Sequence, residues 1–133
     1  MRYAPSQQEL QEIGVMAPPQ RLQYFLSRVI EAEEIWGLAD PQGWVMREEG
    51  DRLILPIWPY QECANACVDA LDLQPHATSL DHFVERILHS LIEEGILLEV
   101  LPSRGMGGAM LTAVELQSMF KSLMESGEYF LEG

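Results

Sequence analysis

The chain is poor in positive charge. Lys121 is its only lysine, and Arg2, Arg21, Arg28, Arg47, Arg52, Arg86 and Arg104 are scattered rather than grouped. Binding to phosphates draws its affinity from clustered cations that release counterions. Without such a cluster, nucleic acid is excluded as a partner, and an anionic membrane surface goes with it. Opposite the 8 basic residues stand 21 Asp and Glu, for a formal net charge of -13. A field of that sign selects a basic protein or a cation.

Cysteine is scarce too. Cys63 and Cys67 are the only ones, too few for the disulfide scaffold of a secreted domain. No apolar run approaches the ~20 residues that span a bilayer. The opening MRYAPSQQEL lacks the apolar centre of a signal peptide. These absences point to the cytoplasm, or at least to a reducing compartment. Repeats, low-complexity tracts and long linkers are missing as well. The 133 residues, 47% of them hydrophobic, read as a single domain (1–133), with 1–17 as a short helical lead-in.

What is present alternates between helix and strand signals. Ser6 followed by Glu9 has the spacing of a capping box, for a helix that stops near Gly14. Pro18 and Pro19 suit the first turn of a second helix. Leu22, Phe25, Leu26, Val29 and Ile30 form its stripe, which gives way near Ile35. IWGLA, GWVMR and RLILPIW then read as a three-stranded antiparallel meander, separated by turn residues at Asp40–Gly43 and Glu48–Asp51. Pro56 cannot donate to a ladder, so its nitrogen should face an edge or a bulge. A short helix is expected over Pro59–Leu71, and an unbroken amphipathic one over Ser79–Glu94, ended by Gly95. ILLEVL and AML form a C-terminal hairpin around the loop PSRGMGG. Thr112 with Glu115 caps a last helix that Gly127 ends. The expected architecture is α+β: an antiparallel sheet of four to five strands, meander plus hairpin, packed with about five helices.

Few residues suggest chemistry. On a helix over Pro59–Leu71, Cys63, Cys67, Ala70 and Leu71 share one face, where free thiols pack as small hydrophobes. A ligand or metal site built on Trp58, Cys63, Cys67 and His76 is the alternative, though no second cysteine pair has zinc spacing. His82, Glu85 and His89 could share a metal but lie at the polar border of their helix. SRGMGGA could offer N–H groups to an anion, but it lacks the lysine and hydroxyl of a phosphate loop. No serine sits in a nucleophile elbow, and cysteines in apolar surroundings are raised in pKa rather than activated. No catalytic constellation emerges, and nothing asks for a cofactor.

Acids crowd the helix C-termini: Glu31, Glu33 and Glu34 on the second helix, Glu93 and Glu94 on the fourth, Glu125 and Glu128 on the last. They oppose the macrodipole. Either the cost is screened by solvent, or Glu33, Glu34, Glu93 and Glu94 meet a basic partner. Trp36, Trp44 and Trp58 all fall in the meander. They are core residues or, if they share a face, a ligand groove.

The order of these pieces resembles a known family. YFLSRVIEAEEIWGLAD, GWV, LPIWPYQECANAC and LTAVELQSMF follow one another as in small bacterial proteins grouped as domain of unknown function 2750. The likeness runs from about Gln20 to Met124. Its most specific parts are Glu34-Ile35-Trp36-Gly37-Leu38, Gly43-Trp44 and Leu55-Pro56-Ile57-Trp58-Pro59. Ile87-Leu88-His89-Ser90 stands where such proteins show a Trp-Leu-Pro-Gly-like stretch. The resemblance implies a compact cytoplasmic bacterial protein and carries no catalytic residues with it. Residues and resemblance together lead to a non-enzymatic protein-interaction module, inhibitor- or immunity-like toward a basic partner, and compatible with a homodimer.

Overall fold

The computed structural model describes residues 3–125. Its elements run α1 (Gln7–Gly14), α2 (Pro18–Ala32), β1 (Glu34–Asp40), β2 (Gly43–Trp44), β3 (Arg47–Glu49), β4 (Arg52–Ile57), α3 (Gln61–Asn65) and β5 (Gln74–Ser79). Helix α4 follows in three parts, Leu80–His82, a π-helical turn Phe83–Ile87, and Leu88–Glu94. Strands β6 (Leu97–Val100) and β7 (Ala109–Thr112) and helix α5 (Ala113–Glu125) complete the order. The class is α+β, with five helices among the described residues, as the pattern of elements predicts. Among the described residues no helix is long and apolar enough to cross a membrane.

The helix starts follow the sequence closely. The Glu9 N–H donates to Ser6 Oγ (3.1 Å), but the Glu9 carboxylate does not close the box. It accepts from the hydroxyls of Tyr3 and Tyr24, and Arg28 lies over both of those rings. Those contacts tie the lead-in to α2. Gln20 Oε1 accepts from the Ala17 N–H (2.9 Å) and opens α2. Thr112 and Glu115 close a reciprocal box at 3.0 and 2.9 Å. The ends Gly127 and Glu128 lie outside the described residues.

The sheets depart from the expected meander. There are two, ordered β2-β1-β5 and β3-β4-β6-β7. The run GWVMR splits between them. Pro56 is the physical reason. Arg47 pairs with Ile54, so two residues further along the ladder Val45 would lie opposite Pro56, which has no N–H to give. Val45 instead donates to the Leu38 carbonyl (2.8 Å). Two residues beyond Pro56, Trp58 exchanges both backbone hydrogen bonds with Trp36 (2.8 and 2.9 Å). One edge of β4 thus changes partner, from β3 to β1, with the proline in the gap. The other edge of β4 pairs in parallel with β6 from Ile54↔Leu97 to Ile57↔Val100. The expected hairpin of β6 and β7 forms beside it.

Two further elements differ. QPHATS, which shows no strand pattern in the sequence, pairs with β1 over six positions. Trp36 spends its backbone groups on Trp58, so Ala77 and Pro75 turn theirs to the open edge, where a proline costs no ladder bond. Helix α3 stops at Asn65 instead of reaching Leu71. The Arg104 guanidinium takes the carbonyls of Ala66 (2.9 Å) and Val68 (2.7 Å) and draws the chain out of helical register. Ala70 and Leu71 are consequently exposed, and the shared cysteine face does not exist. The π turn in α4 is also invisible to periodicity. It sets Leu80, Phe83, Leu88 and Leu91 on one buried line, with a five-residue step at its centre.

Candidate functional site: a notch beside Pro56

Successive side chains of a strand point to opposite faces, and the two faces of the four-stranded sheet are built differently. Leu55, Ile57, Leu98 and Val100 lie on one, joined in a single core cluster with Phe25, Val29, Leu116 and Phe120 from α2 and α5. Pro56, Glu99 and Met110 lie on the other. There Pro56, Trp58 and Leu38 line a cavity of about 230 Å³. Arg47, Glu99, Asp69 and Cys67 also line it.

Glu99 is the charged centre of this notch. Only 6% exposed, it accepts from Arg47 Nε (3.2 Å) and from the Gly108 N–H (2.9 Å). The second bond removes the best donor that the glycine-rich loop had for an anion. Gly108 itself must be glycine, because a Cβ there would stand 2.1 Å from the Val100 carbonyl oxygen. Arg47, 43% exposed, also reaches Glu49 (3.1 Å).

The wall beside it is held from beneath by a buried cation. Arg21 is fully buried, and the charge of Glu99 acts on it from nearby. Its donors end on three carbonyls, Met16 (2.8 Å), Gly14 (3.1 Å) and Leu101 (2.6 Å). Burial draws its pKa down, yet a guanidinium stays charged. Leu101, clamped in this way, adopts φ 57, a costly left-handed conformation for a leucine. The turn presents the Pro102 carbonyl, which accepts from the Trp58 indole N–H (2.8 Å) and faces Cys67 Sγ at 3.5 Å.

Residues singled out from sequence are distributed as follows. Trp36 and Trp58 are bridge partners, buried, on the notch side. Trp44 covers Gly37 on the opposite side, where a Cβ would meet its ring at 2.8 Å, and stands edge-on to His76 at 5.9 Å. The three tryptophans therefore form no common groove. Trp58 and Cys67 meet at the notch. Cys63 lies in the core, and His76 lines a separate cleft of about 290 Å³ with Asp40 and Asp72. Burial pushes the Cys63 thiol up to about 12 and raises Cys67 as well. His82, Glu85 and His89 are all exposed. Among the described residues no group of three or more His, Cys, Asp or Glu is placed to hold a metal ion. Glu33 and Glu34 lie where β1 meets the start of α4, through the Leu80 N–H on the Glu33 carbonyl and the pair Glu34↔Ser79. Glu93 and Glu94 lie at the other end of α4, roughly 20 Å away at ~1.5 Å per residue.

Sequence reasoning missed Arg21 and Glu99. Both left a signal. Arg21, Phe25 and Val29 fall at i, i+4 and i+8, so the arginine sits on the core stripe. Glu99 is the one acid in ILLEVL.

Residues 22–120 match the family described as protein of unknown function (DUF2750), and the chain belongs to that family. No curated protein matches it closely enough to count as a relative.

Proposed function

We propose that this member of the DUF2750 family is a non-enzymatic protein-interaction module, inhibitor- or immunity-like, directed at a basic protein. The observation that carries this reading is how the charges are divided. Four basic side chains are spent inside the molecule. Arg21 and Arg104 serve backbone carbonyls. Arg28 serves Glu9 and Glu31, and Arg47 serves Glu49 and Glu99. The acids are spent outward: Glu12, Glu33, Glu48, Asp51, Asp72, Asp81, Glu85 and Glu94 are exposed. Against them stand the exposed Arg52, Arg86, Arg104 and Lys121, and a surface on which acids outnumber bases in this way steers a basic partner and repels an acidic one.

The test is crosslinking in the native host, followed by native mass spectrometry of the purified protein. A basic polypeptide is expected, with an affinity that falls steeply as salt is raised. A partner of neutral or acidic character, salt-indifferent binding, or a stoichiometric metabolite in its place would overturn the reading. Charge reversal then locates the contact. Glu33→Lys with Glu34→Lys, and Glu93→Lys with Glu94→Lys, probe opposite ends of α4, so a compact partner responds to one pair and not to the other.

A further inference from the structure

The notch beside Pro56 has the size and chemistry of a socket for one basic side chain. We propose that it seats an arginine or lysine presented by a protein partner, with Glu99 as the receiving carboxylate. This deepens the basic-partner reading and rests on it.

Four observations converge. The first is size. A cavity of about 230 Å³ falls below the roughly 300–1,000 Å³ of a small-molecule pocket, and suits a single side chain. The second is lining. Leu38, Met46, Pro56 and Trp58 offer apolar and aromatic walls to a methylene stem, and a carboxylate to its charged head. The third is rigidity. Glu99 stands on a central strand and is fixed by the Gly108 N–H at 2.9 Å. The Trp58 wall is fixed by its indole bond to Pro102 at 2.8 Å. An acceptor held in place before binding pays little ordering entropy.

The fourth observation is that the protein already fills the position with a cation of its own. Arg47 Nε lies 3.2 Å from Glu99 Oε1, which shows that a guanidinium can be accommodated there. Arg47 is also the residue best able to leave. Its side chain is 43% exposed and keeps a second carboxylate, Glu49, at 3.1 Å. An incoming basic side chain can take Glu99 while Arg47 stays on Glu49. No buried charge is left unpaired at either stage, which is the condition that makes exchange cheap. Asp69, also in the lining, adds negative charge. Arg21 and Arg104 stand nearby with donors committed to backbone carbonyls. The exchange makes the site selective, because a neutral or acidic side chain cannot replace Arg47 on Glu99.

The experiment is an NMR titration of the whole chain with n-propylguanidinium chloride, with sodium propionate and sodium chloride as controls. Saturable shifts are expected at the Trp58 indole N–H and at the amides of Glu99 and Gly108, with propylguanidinium alone. Glu99→Gln should abolish them. Arg47→Met should tighten binding about tenfold if the internal cation leaves Glu99 open roughly a tenth of the time, since apparent affinity scales with the open fraction. Shifts that do not saturate, shifts that also occur with propionate, or an Arg47→Met chain that binds no tighter would overturn the proposal. The Arg47 variant keeps the test decisive if Glu99→Gln fails to fold. A basic partner that crosslinks to the chain while propylguanidinium leaves the notch unmoved sinks the socket and spares the basic-partner reading. A socket that fills while no basic partner is found does the reverse.

Discussion

Leu98 and Glu99 are neighbours in sequence with opposite surroundings. Leu98 faces α2 and α5 across the core, level with Leu55 and Leu111. Glu99 faces the notch, level with Pro56 and Met110. Both are buried. On the core side, β4 and β6 bury apolar side chains alone, Leu55, Ile57, Leu98 and Val100. On the notch side, burial includes a carboxylate and a leucine in a left-handed conformation, beside a half-buried proline with no partner on its β3 edge. Apolar burial is the direct route to stability, whereas buried ion pairs are often no better than apolar replacements. The notch side therefore carries costs that folding does not require, in keeping with the recognition role proposed for it.

The comparison breaks most sharply at Leu98. Leu98→Ala removes methyl groups from a fully buried site and should cost about 2–5 kcal/mol. Urea unfolding checks it. Binding of propylguanidinium to the folded fraction should be unchanged, because Leu98 does not face the notch. A loss of stability under 1 kcal/mol would mean that the two faces are not as distinct as their packing implies.

Arg21 belongs to both sides, since it rises from the core stripe of α2 and clamps the turn at Leu101. Arg21→Met keeps the length and removes the donors, leaving three carbonyls without them. A loss of about 3 kcal/mol is expected, from ~1–3 kcal/mol for each buried acceptor left unpaired, offset where water can enter. The turn at Leu101 should relax at the same time. The Trp58 indole N–H, anchored one residue beyond, reports this as faster hydrogen exchange. An unchanged exchange rate would separate the arginine from the notch.

Glu99→Gln should be milder, at about 1.5 kcal/mol, because it keeps shape and exchanges charge-assisted bonds for neutral ones. Its effect on binding should exceed its effect on folding. That inversion relative to Leu98→Ala is the clearest mark of the division between the faces.

Much of the core side was legible in the sequence, because stripes and caps are local. Phe25 and Val29 repeat at helical spacing, and Thr112 with Glu115 capped α5 as their spacing required. The notch was not legible, because it is made by pairings distant in sequence. Pro56 announced an interruption, but the partner it turned away, Val45, and the partner that replaced it, Trp36, depend on register. The parallel pairing of β4 with β6 requires a crossover longer than any hairpin. Strand β5 contains a proline and small polar residues, so only β1 beside it makes it a strand. Helix α3 was read too long because its limit is set by Arg104, far along the chain.

The two cysteines give the smallest contrast, visible at alkaline pH. Cys63 lies in the core and Cys67 at the notch. Burial lifts the Cys63 pKa from 9.0 to about 12. Between those values the folded chain holds a proton that the unfolded chain has lost, so stability falls as pH rises. The slope from this one group approaches about 1.4 kcal/mol per pH unit. Below pH 9 its contribution is fully present. Cys67, Tyr24 and Tyr60 are raised too, each by burial first, and steepen the same limb. Urea unfolding from pH 8 to pH 11 should therefore show a falling curve that Cys63→Ala flattens visibly and Cys67→Ala less so. A disulfide reagent on the native protein should find Cys67 first, from the notch, and Cys63 only as the fold opens. Equal slopes for the two variants, or Cys63 reacting first, would place the thiols in equivalent surroundings and remove this contrast between core and notch.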